Sequence, residues 1–329
     1  MDDDRAVSAR GDLAGAVRRR GLQVVDPLHT TRRAVYVTGS ARSGTTWVAE
    51  VLAAHRSTRF VFEPLHHRSL AARVAPIPHF QVGAEPARIR GLIDDALTGR
   101  TRDPWVNTFQ RRGLMMRRVV KDIRPALLGE VCDAAPEVPA VLVVRDPFDA
   151  ALSRARHESP NGRWFATNAA IAELRGLVAD RRVGVLGDLA RRAVATLDGP
   201  FGRHPLAEHV VIWCVENRLA LERAEDRRPG DRPIAVVSYE SMRSDPDDGF
   251  ALLATELGVP RRRLGDPHVR SSTDFRVDHS AERAESGTET DGADVDPRGD
   301  RPIDPVAVHE VVDTFGLRRT DDARSWTID

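Results

Sequence analysis

Five short runs of apolar, largely β-branched residues limit what this chain can fold into: AVYVTG (34–39), RFVFE (59–63), RRVVKDI (117–123), PAVLVVRDP (139–147) and PIAVVSYE (233–240). Their apolar residues run almost without alternation, so both faces of each segment are expected to be buried, as in a parallel sheet. Helical patterns lie between them. Thr45–His55 follows the first run, and Pro125–Ala134 follows the third with a proline at its start. Asp149–His157 follows the fourth, and Asp245–Leu257 follows the fifth with Gly258 as its stop. Alternation of strand and helix predicts an α/β fold, a parallel sheet flanked by helices with right-handed crossovers. The second run is expected beside the first. A long helical stretch from Ala169 to Ala224, interrupted near Gly199–Pro205, predicts a helical cap inserted over the sheet edge, spanning residues 158–230.

The 329 residues are 41% hydrophobic, enough for one large core. No internal repeat or linker divides them. Residues 1–30 read as an N-terminal extension and 31–329 as a single domain. Within it, residues 278–304 are polar, acidic and rich in Gly and Pro, the composition of a mobile loop. The formal net charge is zero, so no broad positive field for nucleic acid is expected. No apolar run approaches the roughly 20 residues a membrane span needs, and no signal-peptide core is present, which predicts a cytoplasmic protein. Cys132 and Cys214 lie far apart without metal-ligand spacing and read as free thiols.

The chemistry concentrates where the first run ends. Gly39-Ser-Ala-Arg-Ser-Gly44-Thr-Thr46 has the G-x-x-x-x-G frame of a phosphate-binding loop between a strand and a helix. Such a frame turns backbone N–H groups toward one anion at a helix N-terminus. The lysine that would follow in a Walker motif is replaced by Thr45, and the positive charge sits inside the loop at Arg42. The fourth run ends in Arg145 and not in a magnesium-holding aspartate. The loop therefore predicts an anion site with no required metal, which argues against Mg²⁺-dependent ATP or GTP chemistry. The sheet expected around it is P-loop NTPase-like. A second element, Arg145-Asp-Pro-Phe-Asp-Ala-Ala-Leu-Ser153, leaves a buried strand and enters a helix, where an arginine and a serine can grip one phosphate together.

The pair ARSGTTW (41–47) and RDPFDAALS (145–153) resembles the two nucleotide signatures of the sulfotransferases that use 3′-phosphoadenosine 5′-phosphosulfate (PAPS). Three further segments are similar to that family: FVFEPLHH (60–67) to a segment of its carbohydrate members, VVKDIRP (119–125) to a lysine-bearing strand, and VVSYESMRSDP (236–246) to the segment before the last helix of the sheet; as a whole the chain resembles the carbohydrate-type or bacterial branch. Together they cover residues 33–260. The resemblance implies that Arg42, Ser43, Gly44, Thr45 and Thr46 hold the 5′-phosphosulfate, that Arg145 and Ser153 hold the 3′-phosphate, and that Trp47, Tyr239, Thr273 and Phe275 line the adenine pocket. On position alone, Trp47 and Tyr239 could equally be structural. PAPS is then a co-substrate, and the missing Walker lysine has a reason: the ligand ends in a sulfuryl group.

Transfer of that group needs a base at the acceptor and positive charge at the leaving oxygen. Glu63 at the end of the second run is the leading base, with His66 and His67 as alternatives. Lys121 is the only lysine of the chain and the leading cation. Two positions after it stands Ile123, where family members acting on small phenols and steroids carry a histidine. The basic run Gln110–Arg118 is either a solvated face or a surface for an anionic or sugar acceptor. The expected activity is sulfuryl transfer from PAPS to a hydroxyl or amine of a carbohydrate or other small molecule. The alternatives are a small-molecule P-loop kinase and a catalytically inactive nucleotide-binding protein.

Overall fold

The structure, a computed structural model, describes residues 29–66, 68–71, 75–80, 86–109, 114–157, 167–181, 184–226, 232–269, 304–320 and 325–328. The five apolar runs form β1 (Ala34–Thr38), β2 (Thr58–Phe62), β3 (Arg117–Lys121), β4 (Ala140–Val144) and β5 (Ile234–Ser238). They make one sheet in the order β2-β3-β1-β4-β5, and each neighbouring pair is parallel. Every residue of β1, β2 and β4 is buried. The sheet alternates between two cores, as a pleat requires. Val35, Val37, Phe60, Phe62, Val119, Val141 and Val143 face one core, and Tyr36, Val61, Val120, Leu142 and Val144 face the other.

Helices cover both faces. The first core is closed by α1 (Thr45–Ala53), together with a later helix introduced below. The second is closed by α2 (Pro86–Thr98), α3 (Leu128–Ala134), α4 (Pro147–His157), α5 (Thr167–Ala179), α6 (Val185–Asp198) and α7 (Ala207–Glu225). After β5 come the short α8 (Tyr239–Ser244) and α9 (Pro246–Glu256), the second helix on the α1 face. The Asp245 side chain caps α9 with Pro246 at its first position, and Gly258 in a left-handed conformation follows its end, as its sequence signals. The chain ends in α10 (Pro305–Thr314) and a hairpin of β6 (Leu317–Arg319) and β7 (Trp326–Ile328). Trp326 meets Trp213 of α7 edge-on at 5.3 Å.

Two placements differ from the sequence reading. β2 does not adjoin β1, because β3 lies between them, with Lys121 in register with Val37 on one side and Phe62 on the other. The long excursion after β2 explains this. It returns along the free side of β2, where Val106 O accepts from Phe62 N at 3.0 Å, and the Arg59 guanidinium donates to Gly99 O and Thr101 O. Only an edge strand can accept such a cover. The second difference is α7. It is not part of a cap at the sheet edge, because Val210, Val211, Trp213, Cys214 and Val215 have no exposure and pack into the second core. An unbroken apolar run such as Val210–Val215 covers every side of a helix for more than one turn and belongs inside. The break expected near Gly199–Pro205 is present as a 3₁₀ turn, Pro200–Arg203. Residues 1–28 and 278–303 lie outside the described residues.

Candidate nucleotide and transfer site

The loop between β1 and α1 has the shape its glycines require. A Cβ on Gly39 would overlap the carbonyl oxygen of Val143 and come within 2.9 Å of Thr45 Cγ2. Gly44 caps α1 at φ 85°, and its missing Cβ is the space occupied by the Tyr239 ring. The start of α1 leaves the N–H groups of Gly44, Thr45 and Thr46 without intrahelical acceptors, at the positive end of the helix dipole. Ser43 contributes differently: its N–H is bonded to Ser40 O at 3.0 Å, while its hydroxyl is buried without a hydrogen-bond partner. Arg42 has φ 70°, a conformation costly for a side-chain-bearing residue and held here by its neighbours.

Those neighbours come from the second element. Arg145 directly follows β4, and one guanidinium nitrogen donates to Arg42 O at 3.1 Å. Its Cζ lies over the Tyr239 ring, 4.9 Å from the centroid, and its Nε is buried without a partner. Arg42 Nε donates to Ser153 Oγ on α4 at 3.0 Å. Arg42, Arg145, Ser153 and Tyr239 thus converge beside the N-terminus of α1. Two guanidinium groups and an unpartnered buried hydroxyl, beside the N–H groups at a helix start, suit an anion with more than one charged end. Trp47 packs in the core: its indole donates to Pro267 O at 3.0 Å and meets Tyr239 and Phe250 edge-on. Thr273 and Phe275 lie outside the described residues.

A second cluster sits on β2 and β3. Lys121 ends β3, and its ammonium is ion-paired with Glu63 Oε1 and lies 4.8 Å from the Phe62 ring. Phe62 faces the core beneath α1, so the pair lies on the face of the sheet that α1 covers, at the strand ends from which the loop departs. Glu63 leaves β2 with φ 45°. Three bonds hold that turn: Glu63 N–H to Lys121 O at 2.6 Å, His66 N–H to Glu63 O at 3.1 Å, and Leu65 N–H to Asp122 Oδ2 at 3.0 Å. Burial pushes the Asp122 carboxyl up to about 6, against the opposing pull of Arg124 and the Leu65 N–H.

The free oxygen of Glu63 faces His66 Nε2 at 3.8 Å. His66 stacks on Trp105 at 4.8 Å, and its Nδ1 accepts from Arg68 N–H at 3.2 Å. A neutral ring that accepts at Nδ1 carries its proton on Nε2. His66 Nε2 is beyond hydrogen-bond distance of Glu63, and its Nδ1 lone pair is engaged by the Arg68 N–H. His67, the other alternative, lies outside the described residues.

Among the described residues of the run Gln110–Arg118, the two arginines do not share one exposed face. Arg118 is buried and donates to Thr30 O and Leu97 O, and Arg117 begins β3 at the sheet end opposite the loop. Residues 110–113 lie outside the described residues. Sequence reasoning also passed over residues that shape the site. Asp146 accepts from Phe148 N–H and Asp149 N–H, capping α4, and also meets His309 Nε2 at 3.1 Å. Glu240 Oε1 accepts from Asp146 N–H at 2.9 Å. Beneath the loop lie Arg154, Glu216 and Asn217. The one signal for the last two was a polar pair, Glu216-Asn217, inside an otherwise apolar helical run.

The close fit at Gly39 gives a stability prediction. Gly39→Ala should destabilise the fold by about 1–3 kcal/mol, because the obstructing atom is backbone and cannot swing aside. Thermal unfolding should show a midpoint several degrees lower; an unchanged midpoint would mean that the loop is not seated against β4 in this way.

No protein-family profile and no curated protein sequence matches the chain. Among solved structures, it is similar to a sulfotransferase from Alicyclobacillus acidocaldarius, with 16% identity over 77% of this chain and 91% of that one and a TM-score of 0.36. It is also similar to the sulfotransferase domain of the Synechococcus PCC 7002 olefin synthase, with 15% identity over 89% and 98% and a TM-score of 0.38. A third is the sulfotransferase STF9 from Mycobacterium avium, with 13% identity over 87% and 76% and a TM-score of 0.40. Overlap this low assigns neither activity nor substrate, and the functional reading rests on the side chains described above.

Proposed function

We propose that the chain is a PAPS-dependent sulfotransferase acting on a hydroxyl or amine of a carbohydrate or other small molecule. The observation that carries this reading is the placement of a buried carboxylate–ammonium pair, Glu63 and Lys121, at the strand ends beside an anion loop that has Thr45 at the Walker-lysine position and draws its positive charge from Arg42 and Arg145. In this reading Gly44, Thr45 and Thr46 N–H groups, the Ser43 hydroxyl and Arg42 bind the 5′-phosphosulfate. Arg145 and Ser153 bind the 3′-phosphate. Tyr239 flanks the same site. The donor supplies a sulfuryl group attached to a phosphate leaving group. Glu63 takes the proton from the acceptor as its oxygen or nitrogen bonds to sulfur, and the bond from sulfur to the phosphate oxygen breaks to release 3′,5′-adenosine diphosphate. Lys121 stabilises the charge that grows on that oxygen. Glu63 is favoured over His66 as the base because its Oε2 is not the oxygen paired with Lys121, whereas His66 Nδ1 already accepts from the Arg68 N–H.

Positive charge here comes from arginine, lysine and backbone dipoles. Arg145 stands at the end of β4, and Asp146 beside it is committed to capping α4 and to His309. Turnover is therefore expected to persist in EDTA, measured as release of 3′,5′-adenosine diphosphate. Loss of activity in EDTA that Mg²⁺ restores would favour the kinase alternative instead. Among the described residues no helix is long and apolar enough to cross a membrane.

A further inference from the structure

The phosphate loop rests on a buried ionic layer that the proposed chemistry does not use. Arg154 on α4 donates from Nε to Ala41 O at 2.9 Å and from a terminal nitrogen to Glu216 Oε2 at 2.8 Å. The same oxygen of Glu216 accepts from Ser40 Oγ at 2.6 Å. Asn217 Nδ2 donates to Ser40 Oγ at 3.0 Å and to Trp213 O at 2.8 Å. Arg154, Glu216, Asn217 and Ser40 are each at most 4% exposed. Well-packed apolar residues often stabilise as much as a buried ion pair, so such a pair calls for a geometric reason.

The loop supplies that reason. To bind an anion, it must turn its N–H groups inward and its carbonyls outward. Two successive carbonyls are pinned outward by guanidinium groups, Ala41 O by Arg154 and Arg42 O by Arg145. The Ser40 side chain is drawn down into α7 by Glu216 and Asn217. We propose that Arg154, Glu216 and Asn217 are positioning residues that lock residues 40–42 of the loop in its anion-binding conformation from below. This inference rests on the sulfotransferase reading for the identity of the anion. It assigns the three residues to the 5′ end of the nucleotide alone, since Arg145 and Ser153 are assigned to the 3′-phosphate.

That division gives a readout that separates loop bracing from a role at the 3′ end, while site-resolved exchange separates it from general destabilisation. Arg154→Lys keeps the buried charge but has one nitrogen where the arginine uses two, and so cannot serve both Ala41 O and Glu216 in the same geometry. Ser40→Ala leaves the ion pair intact and removes only the downward tie. Each variant should bind 3′,5′-adenosine diphosphate and 5′-AMP more weakly by about the same factor, on the order of tenfold. The ratio between the two ligands should stay at its wild-type value. In the ligand-free protein, amide hydrogen exchange at Ser43, whose N–H is bonded to Ser40 O, should be faster in the variants, with the β-strand amides unchanged. Titration at a temperature well below the melting point, with exchange measured alongside, tests this. If the wild type binds the nucleotides and both variants bind equally well, this inference fails alone. A wild type that binds neither nucleotide removes the sulfotransferase reading and this inference with it. A change in the ratio also overturns it, because it would place these residues at the 3′ end.

Discussion

Glu63→Gln is expected to lower kcat by about 10²–10⁴ while leaving affinity for 3′,5′-adenosine diphosphate nearly unchanged. Glutamine keeps an oxygen for the Lys121 ammonium, so the buried lysine retains a partner and the fold should survive. It cannot take a proton from an acceptor. Affinity should hold because, in the proposed arrangement, Glu63 faces the acceptor and not the nucleotide. Lys121→Ala is the contrasting variant. It removes the electrostatic stabiliser, expected to cost about 10²–10³ in rate, and leaves a carboxylate buried without its ammonium. It should also weaken PAPS, whose sulfuryl end the lysine would touch. Turnover, nucleotide titration and thermal melting on both variants separate these effects. A Glu63→Gln protein with normal turnover would eliminate Glu63 as the base.

The pairing of these two residues was only half visible in the sequence. Strand identity was legible, because runs such as AVYVT and AVLVV are apolar on both faces and only a doubly covered sheet buries both. Strand order was not. Whether β2 or β3 sits beside β1 depends on how the 63–116 excursion returns, and that is a tertiary property. Insertion of β3 is what puts Lys121 in register with Phe62 and lets its side chain reach Glu63. The left-handed turn at Glu63 was equally hidden, because no glycine or asparagine marks it; tertiary bonds impose it.

The loop and its arginine–serine partner were more legible, since the glycine frame and the arginine–serine spacing are local signals. Its support was not. Arg154 is adjacent to Ser153 in sequence, yet its partner Glu216 is 62 residues away on a helix whose burial comes from packing. Trp47 shows the opposite problem. Its position on the first turn of α1 allowed either a ligand contact or a core role, and only the edge-on packing against Phe250 and the bond to Pro267 O place it in the core.

Arg145→Ala should weaken 3′,5′-adenosine diphosphate by about 2–4 kcal/mol, the loss expected when a phosphate loses a charged, hydrogen-bonded partner. At about 1.4 kcal/mol per tenfold, that is roughly 30- to 1,000-fold. Binding of 5′-AMP should change far less, because that ligand has no 3′-phosphate to lose. Some loss is expected even there, since Arg145 also holds Arg42 O and covers the Tyr239 ring. Arg145→Lys should recover only part of the affinity, because a single ammonium cannot bond Arg42 O and grip a phosphate with a rigid fork. The ratio of the two affinities is the decisive quantity. Arg145→Ala should collapse it toward one, whereas Ser40→Ala and Arg154→Lys should lower both affinities and preserve it. Two neighbouring arginines, one before α4 and one within it, would then be shown to serve opposite ends of one ligand. A wild type that binds 3′,5′-adenosine diphosphate no better than 5′-AMP would sink the assignment of Arg145, and an Arg145→Ala variant that loses both ligands equally would move Arg145 to the loop-bracing group with Arg154.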